Sequence, residues 1–453
     1  MPNKKFHLSP RRTAPNRVRH THDSPYSLFL THLRAIVAHI FANFVAKSTI
    51  DHMKAILKVL SLLLYIALPF TACAAQPATT PDTTGSPVIV GAERLDEYIP
   101  LLKGKRIGLF SNHTGMVGNE HTLDVMLRNG LNVTTLFSPE HGFRGEADAG
   151  EKVASATDKR TGLPIVSLYG GKNRYPSAKT LAGIDVIVCD IQDVGLRFYT
   201  YYCTMLDLMY SAATAGKEFV VLDRPNPNGM SVDGPVLEMR YASGVGRLPI
   251  PVLHGLTLGE LATMANGEGW LKDGAVVKLT VVPCLNYTHS TRYRLPVPPS
   301  PNLPDMKAVY SYPSTCFFEG TPVSLGRGTA TPFTIYGHPQ MTDGDYWFTP
   351  RSRPGAKTPP LLGKKCRGRN LRSMSDEAMI AQGVNLAYVI DAYNSMGRPE
   401  GFFTSFFRLL AGTDSVRRMI EAGATADEIK ATWADGIAAF KARRKPYLLY
   451  PEN

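Results

Sequence analysis

The chain has 453 residues, 44% of them apolar and 19% charged, with a formal net charge of +12. That length suggests two or three domains, and the composition excludes wholesale disorder and a polytopic membrane protein. Residues 1–73 hold ten Lys or Arg and two acidic residues, a net of +8, which leaves +4 for residues 74–453, so the basic signal sits mostly in the leader.

From Met53 onward the leader reads as an export signal. Lys54 and Lys58 form a basic start, Val59 to Leu68 give an uncharged, mostly apolar run, and Thr71, Ala72, Cys73, Ala74 and Ala75 supply a small-residue exit. A membrane span needs about twenty apolar residues, so a cleaved signal fits better. Cys73 after Phe-Thr-Ala resembles the lipobox of bacterial lipoproteins, with Phe70 where Leu is usual; the other reading is ordinary cleavage near Ala-Cys-Ala. The expected location is therefore the periplasm, free or as a lipid-anchored lipoprotein, with the membrane involved only through that anchor. Residues 1–52 precede this complete signal and read as a misassigned start site or a disordered leader. The apolar patch Leu28 to Ala46 within them is interrupted by His32, Arg34 and His39, and a charge at a bilayer centre is costly.

Residues 74–87 have the Pro, Thr and Gly content of a linker. Short apolar runs follow at Lys105–Ser111, Asn132–Phe137, Pro164–Leu168, Ile184–Cys189, Glu218–Leu222 and Val276–Val282, alternating with helical patterns at His121–Asn129, Tyr199–Ala215 and Leu258–Ala265. Such alternation predicts an α/β fold with a Rossmann-like parallel sheet over residues 88–295. The Pro-rich stretch 296–304 leads to a smaller α+β domain, residues 296–453, expected to open in extended, Gly-rich sequence. It is expected to close with helices at Asp376–Asn394, Gly401–Leu410, Ser415–Ala422 and Ala426–Arg443. Five cysteines at 189, 203, 284, 316 and 366 are widely spaced with no C-x-x-C pair, so buried free thiols are expected.

In an open parallel sheet, ligands bind beyond the carboxyl ends of the strands. The apolar runs are followed by Ser111-Asn112-His113, by Ser138-Pro139-Glu140-His141, by Asp190-Ile191-Gln192-Asp193 with Arg197 and Tyr199 beyond, and by Asp223-Arg224. Any one of these is more often a cap or a turn residue than a functional group, but their convergence on one edge predicts a site. Glu140 opens a segment of 23 residues before Pro164 that is charged, Gly-rich and aperiodic, suited to closing over a cleft. No dinucleotide fingerprint, P-loop, H-E-x-x-H or G-x-S-x-G occurs. Gly326-Arg327-Gly328-Thr329 reads as a turn carrying Arg327, and a metal site of His141, Asp148 and Asp190 is a minor alternative to no metal at all.

Taken together, SPEHGFRG (138–145), DIQDVGLRFYTY (190–201), LDRPNPNG (222–229), HGLTLGELA (254–262), FFEGTPVSLGRGT (317–329) and the tail from AGTDSVRRMIEAG to RRKPYLLYPEN resemble the exo-β-N-acetylmuramidases, glycoside hydrolase family 171, formerly domain of unknown function 1343. The resemblance spans residues 88–453. It implies an enzyme, without cofactor, that removes N-acetylmuramic acid from the non-reducing end of peptidoglycan-derived glycan between two lobes, and it assigns the catalytic glutamate to Glu140. Nucleic acid is not an expected partner.

Glycoside hydrolysis needs an acid for the leaving oxygen and a second group at the anomeric carbon. Glu140 beside His141 suits the acid. Asp190, Asp193, Glu319 or the substrate's own acetamido oxygen are the open choices for the second group. The lactyl carboxylate of muramic acid calls for an arginine fork, from Arg197, Arg224, Arg327 or Arg144. Asn112, Gln192, Tyr199 and Asp223 complete the expected sugar contacts. The other reading is a non-catalytic, glycan-binding lipoprotein that uses the same cleft.

Overall fold

The computed structural model of the chain describes residues 86–139, 142–143, 156–168 and 174–453. Its first part is built on β1 (Arg106–Ser111), a small hairpin of β2 (Met116–Val117) and β3 (Glu120–His121), then β4 (Asn132–Ser138), β5 (Ala156–Thr157) and β6 (Pro164–Ser167). β7 (Val186–Asp190), β8 (Glu218–Leu222) and β9 (Lys278–Val282) complete a seven-stranded sheet in the order β5-β6-β4-β1-β7-β8-β9. Every pairing in it is parallel except β5 with β6. All five residues of β7 are buried, as are the last five of β1. A strand covered on both faces reads as a continuous apolar run, which is why the sequence exposes these strands so plainly.

The covering helices are α1 (Leu95–Leu102), α2 (Thr122–Arg128), α3 (Ala178–Ala182), α4 (Tyr201–Thr214) and α5 (Leu258–Gly267). α5 starts in a capping box, in which Thr257 accepts from the Glu260 amide and Glu260 accepts from the Thr257 amide. α4 is buried at eleven of its fourteen positions because it lies between the sheet and the second part of the chain. A single apolar core runs from Phe110 through Tyr202 to Phe407 and Phe440, so the two parts share one interior. The expectation of a Rossmann-like sheet followed by a smaller α+β part is met.

That second part departs from expectation in two ways. It opens with a buried helix, α6 (Met306–Thr315), capped by the Asp305 carboxylate on the Ala308 amide, where extended chain was expected. Ser, Tyr and Pro313 mask its helical character in the sequence. A three-stranded antiparallel sheet follows in the order β10-β12-β11, from β10 (Ile335–His338), β11 (Tyr346–Phe348) and β12 (Cys366–Asn370).

The closing helices are α7 (Asp376–Gln382), α8 (Ala387–Ser395), α9 (Ser405–Ala411), α10 (Ser415–Ala422), α11 (Ala426–Ala431) and α12 (Ala434–Arg444). Two expected single helices, 376–394 and 426–443, are thus each divided. One carboxylate lies beside both breaks: Asp233 accepts from the Val384 amide (2.9 Å), Lys430 Nζ (2.6 Å) and Trp433 Nε1 (2.9 Å). Gly383 has φ 60°, and a Cβ there would lie 2.2 Å from Asp233 Oδ2. The five cysteines of the described chain are free and buried, as expected.

Candidate active site

A cavity of about 740 Å³ opens at the carboxyl edge of the large sheet, within the usual range for small-ligand sites of roughly 300–1,000 Å³. Leu168, just beyond β6, and Phe198 to Tyr201, which lead from β7 into α4, form one wall. Arg247 comes from the connection between β8 and α5. The second part of the chain supplies Tyr312, Glu319, Arg327, Phe333 and the loop Gly355–Pro360. The Pro-rich stretch read as the passage to the second part is wall as well: Ser300 and Asn302 line the cavity, and the Pro299 carbonyl accepts from the hydroxyls of Tyr199 (2.8 Å) and Tyr201 (3.2 Å).

Two carboxylates face this space, each held by arginine. Arg327 donates from Nη2 (2.6 Å) and Nε (3.1 Å) to Glu319 Oε1, so Oε2 takes neither bond, and the guanidinium lies 5.0 Å from the Phe333 ring centre. On the other side Asp207 pairs with Arg247 at 2.7 Å, with Arg174 at 3.9 Å. With Lys357, the described lining holds four cations against two carboxylates. Arginine forks at a cleft wall suit anionic ligands such as carboxylates. The sequence GRGT is the turn expected, with the Thr329 amide donating to Gly326 carbonyl at 3.0 Å.

Of the expected site residues, Tyr199, Glu319 and Arg327 line the cavity. Glu140, His141, Arg144, Asp148 and Cys73 lie outside the described residues. Most of the others are engaged internally. Arg197 is fully buried and donates to the carbonyls of Pro235, Ile250, Leu410 and Ala411 at 2.6–2.9 Å, so it holds backbone rather than substrate. Arg224 and Asp190 form a buried pair, with Nε to Oδ1 at 2.6 Å and Nη2 to Oδ2 at 3.0 Å, while Thr122 donates to the same Oδ2 at 2.5 Å. Neither group is open to a sugar, and Asp190 is unavailable to the alternative metal set. Asp223 accepts from Thr257, Tyr450 and the Gly259 amide, which ties the C-terminal tail to α5. Burial pushes its carboxyl up to about 6 despite those bonds. Gln192 donates to the carbonyls of Asp193 and Pro225, and Asn112 reaches the cavity wall only through Tyr201, donating to its hydroxyl at 3.0 Å.

Asp193 is also buried. Its Oδ1 accepts from the Gly195 amide at 2.7 Å, and Oδ2 has no hydrogen-bond partner among the described residues. Burial pushes this carboxyl up to about 7. A carboxyl raised in the folded state leaves stability intact below the unfolded value of about 4, and the cost grows as pH rises towards 7. Asp193→Asn, which keeps the acceptor, is therefore expected to stabilise the protein by about 2–3 kcal/mol more at pH 8 than at pH 5. Denaturant titrations of both proteins at the two pH values check this, and parallel shifts would contradict it.

The sequence reading missed Arg174, Asp207, Arg247, Asn302, Tyr312 and Lys357. Asp207 carried a usable signal: an acid inside the apolar helix YYCTMLDLMY must find a cation when buried. Asn302 was hidden by the proline content around it.

Comparison with known proteins agrees with this architecture. Residues 107–307 match the family model described as exo-beta-N-acetylmuramidase NamZ, N-terminal, and residues 310–450 match its C-terminal counterpart. The chain is 38% identical over 403 residues to the peptidoglycan beta-N-acetylmuramidase NamZ of Bacillus subtilis, covering 84% of this chain and 96% of that one. Two solved DUF1343 family proteins of Bacteroides fragilis share the fold. One is 58% identical, covering 81% of this chain and 100% of its own, with a TM-score of 0.77. The other is 29% identical, covering 80% and 99%, with a TM-score of 0.65.

Proposed function

Because the chain belongs to the exo-β-N-acetylmuramidase family, matched in both of that family's parts and in their order, we propose that it is a glycosidase releasing N-acetylmuramic acid from the non-reducing end of peptidoglycan-derived glycan. The observation that carries this is the likeness to the Bacillus subtilis enzyme over 96% of that protein's length. The cationic lining of the cavity supports it, since muramic acid differs from N-acetylglucosamine by a lactyl carboxylate. Arg327 and Arg247 are the arginines placed to meet that group. In this reading Glu140 is the acid and Glu319, a lining residue of the cavity, is the second carboxylate, ahead of Asp190, whose oxygens are taken, and Asp193, which is not among the described lining residues.

The test is release of chromophore by the purified protein from an aryl N-acetylmuramide and from the matching N-acetylglucosaminide. Release from the first alone is expected. Release from neither would favour a glycan-binding protein without catalysis.

Export is part of the same reading. The signal begins at Met53 and is cleaved before Cys73, which then carries lipid as the first residue of the mature chain, with residues 74–87 as the tether. Cys73→Ala is expected to move the protein from the membrane fraction to the soluble periplasm, because the lipid is the anchor that remains once the leader is cleaved. Unchanged partitioning on fractionation would remove the lipoprotein assignment.

A further inference from the structure

The positive charge of the folded part is concentrated in one place. Residues 343–372 carry eight basic and two acidic side chains, a net of +6, so the remainder of residues 74–453 is net −2. Within the segment, Arg369 pairs with Asp343 and Asp391, and Arg372 pairs with Asp305. Arg351, Arg353, Lys364 and Lys365 are exposed and form no ion pair with the described residues. Asp345, the second acid, stands on the turn before β11.

An exposed aromatic plate lies beside these cations. Trp347 is 52% exposed, opposite Arg367 in the β11–β12 register, with Lys365 Nζ 4.6 Å and the Arg367 guanidinium 5.7 Å from its ring centre. A large indole left in water costs free energy unless something covers it. An exposed indole with cations over its ring suits a ligand with an apolar ring face and attached anions, the ring meeting the uncovered part of the indole and the anions the cations.

The segment that carries this surface also supplies cavity wall. Gly355–Pro360 of the same segment form cavity wall, fixed by Asn302 Nδ2 donating to Gly355 carbonyl (2.7 Å) and the Arg351 amide donating to Gly328 carbonyl (2.9 Å), one residue from Arg327. On the sheet side, the cavity residue Ser324 bridges to Gly337 on β10. Two further strands lead to β11, so Trp347 stands about three strand spacings from Ser324, roughly 14 Å. That is the span of a short oligosaccharide.

We propose that Trp347, Lys364, Lys365 and Arg367 form a second glycan-binding surface, which holds the carboxylate-bearing amino-sugar chain that extends out of the cavity. This rests on the activity proposed above. The terminal sugar enters the cavity, and later rings of the chain stack on Trp347 while their lactyl carboxylates meet the lysines. The surface thus favours long strands over single glycosides.

Kinetics on two substrates test it, with peptide-free glycan strands beside the aryl N-acetylmuramide. Trp347→Ala and the double variant Lys364→Ala/Lys365→Ala are expected to raise KM for strands about tenfold. They should leave kcat/KM on the aryl glycoside within about twofold, which also reports correct folding. The salt dependence of the strand KM should weaken in the double lysine variant. Unchanged strand KM overturns the proposal. So does loss of binding to phosphatidylglycerol vesicles with strand kinetics intact, which would assign the face to a membrane. If the wild type releases nothing from either substrate, the activity fails. The surface is then judged by sedimentation with insoluble peptidoglycan, where equal binding by wild type and variants overturns it.

Discussion

Glu140→Gln is expected to slow hydrolysis of an unactivated N-acetylmuramyl disaccharide by roughly 10²–10⁴-fold, about 3–5 kcal/mol in the barrier. The amide keeps the size of the side chain and loses the proton that the leaving oxygen needs. Binding of the product should be largely intact. The leaving group separates two roles for this residue. An aryl oxide departs without protonation, so loss of a general acid should be much smaller on an aryl glycoside than on the disaccharide. Loss of a nucleophile or base would be severe on both. Near-normal activity on the disaccharide would place the acid elsewhere, and Glu319 would be the next residue to replace. Glu319 already lines the cavity from the second part of the chain, with Arg327 on its Oε1.

The parts of the fold that were legible in the sequence share a physical cause. β1, β7 and β8 are buried on both faces and therefore appear as unbroken apolar runs. The site was harder to read, because a polar residue at a strand end looks the same whether it faces a ligand or caps a neighbouring element. Asp223 and the string HGLTLGELA show this. Thr257, Gly259 and Glu260 of that string bind Asp223 or cap α5, and Glu260 also receives His289 Nε2 and the Leu449 amide. Gly255 is required by contact, since a Cβ there would lie 2.6 Å from Arg444 Nη1. The strings that mark the family are therefore partly the lock between the sheet and the C-terminal tail, and their strength as a signature did not make each residue a substrate contact. The cavity instead drew on Asp207, Arg247 and the Pro-rich wall, whose roles depend on contacts between distant segments that no local pattern records.

Arg197→Met should lower stability by about 3–5 kcal/mol, the scale seen when a buried charged group is removed from its partners. Two terms oppose each other. The guanidinium pays for its burial, which pulls its pKa down to about 10, a shift worth about 3 kcal/mol against the charged form. Against this stand four short bonds to carbonyls, each worth about 1.5–3 kcal/mol when the donor is charged. Two of those carbonyls, on Leu410 and Ala411, end α9, where the helix dipole favours a cation. The other two, on Pro235 and Ile250, belong to the connection between β8 and α5. Methionine fills most of the volume but leaves the Pro235, Leu410 and Ala411 carbonyls without this donor in a site closed to water, while Ile250 keeps the Leu237 amide, so the bonds outweigh the burial cost. Gly412 crowds the same guanidinium, a Cβ there falling 2.7 Å from Nη2, which leaves little room to rearrange. A lysine at 197 keeps the charge but lacks the planar fork that reaches two segments at once, so Arg197→Lys should recover only part of the loss. The fall in melting temperature should be on the order of 5–10 °C, with KM for the aryl N-acetylmuramide unchanged at temperatures where the variant is folded. A variant that melts within a degree or two of the wild type yet binds substrate poorly would return Arg197 to the sugar.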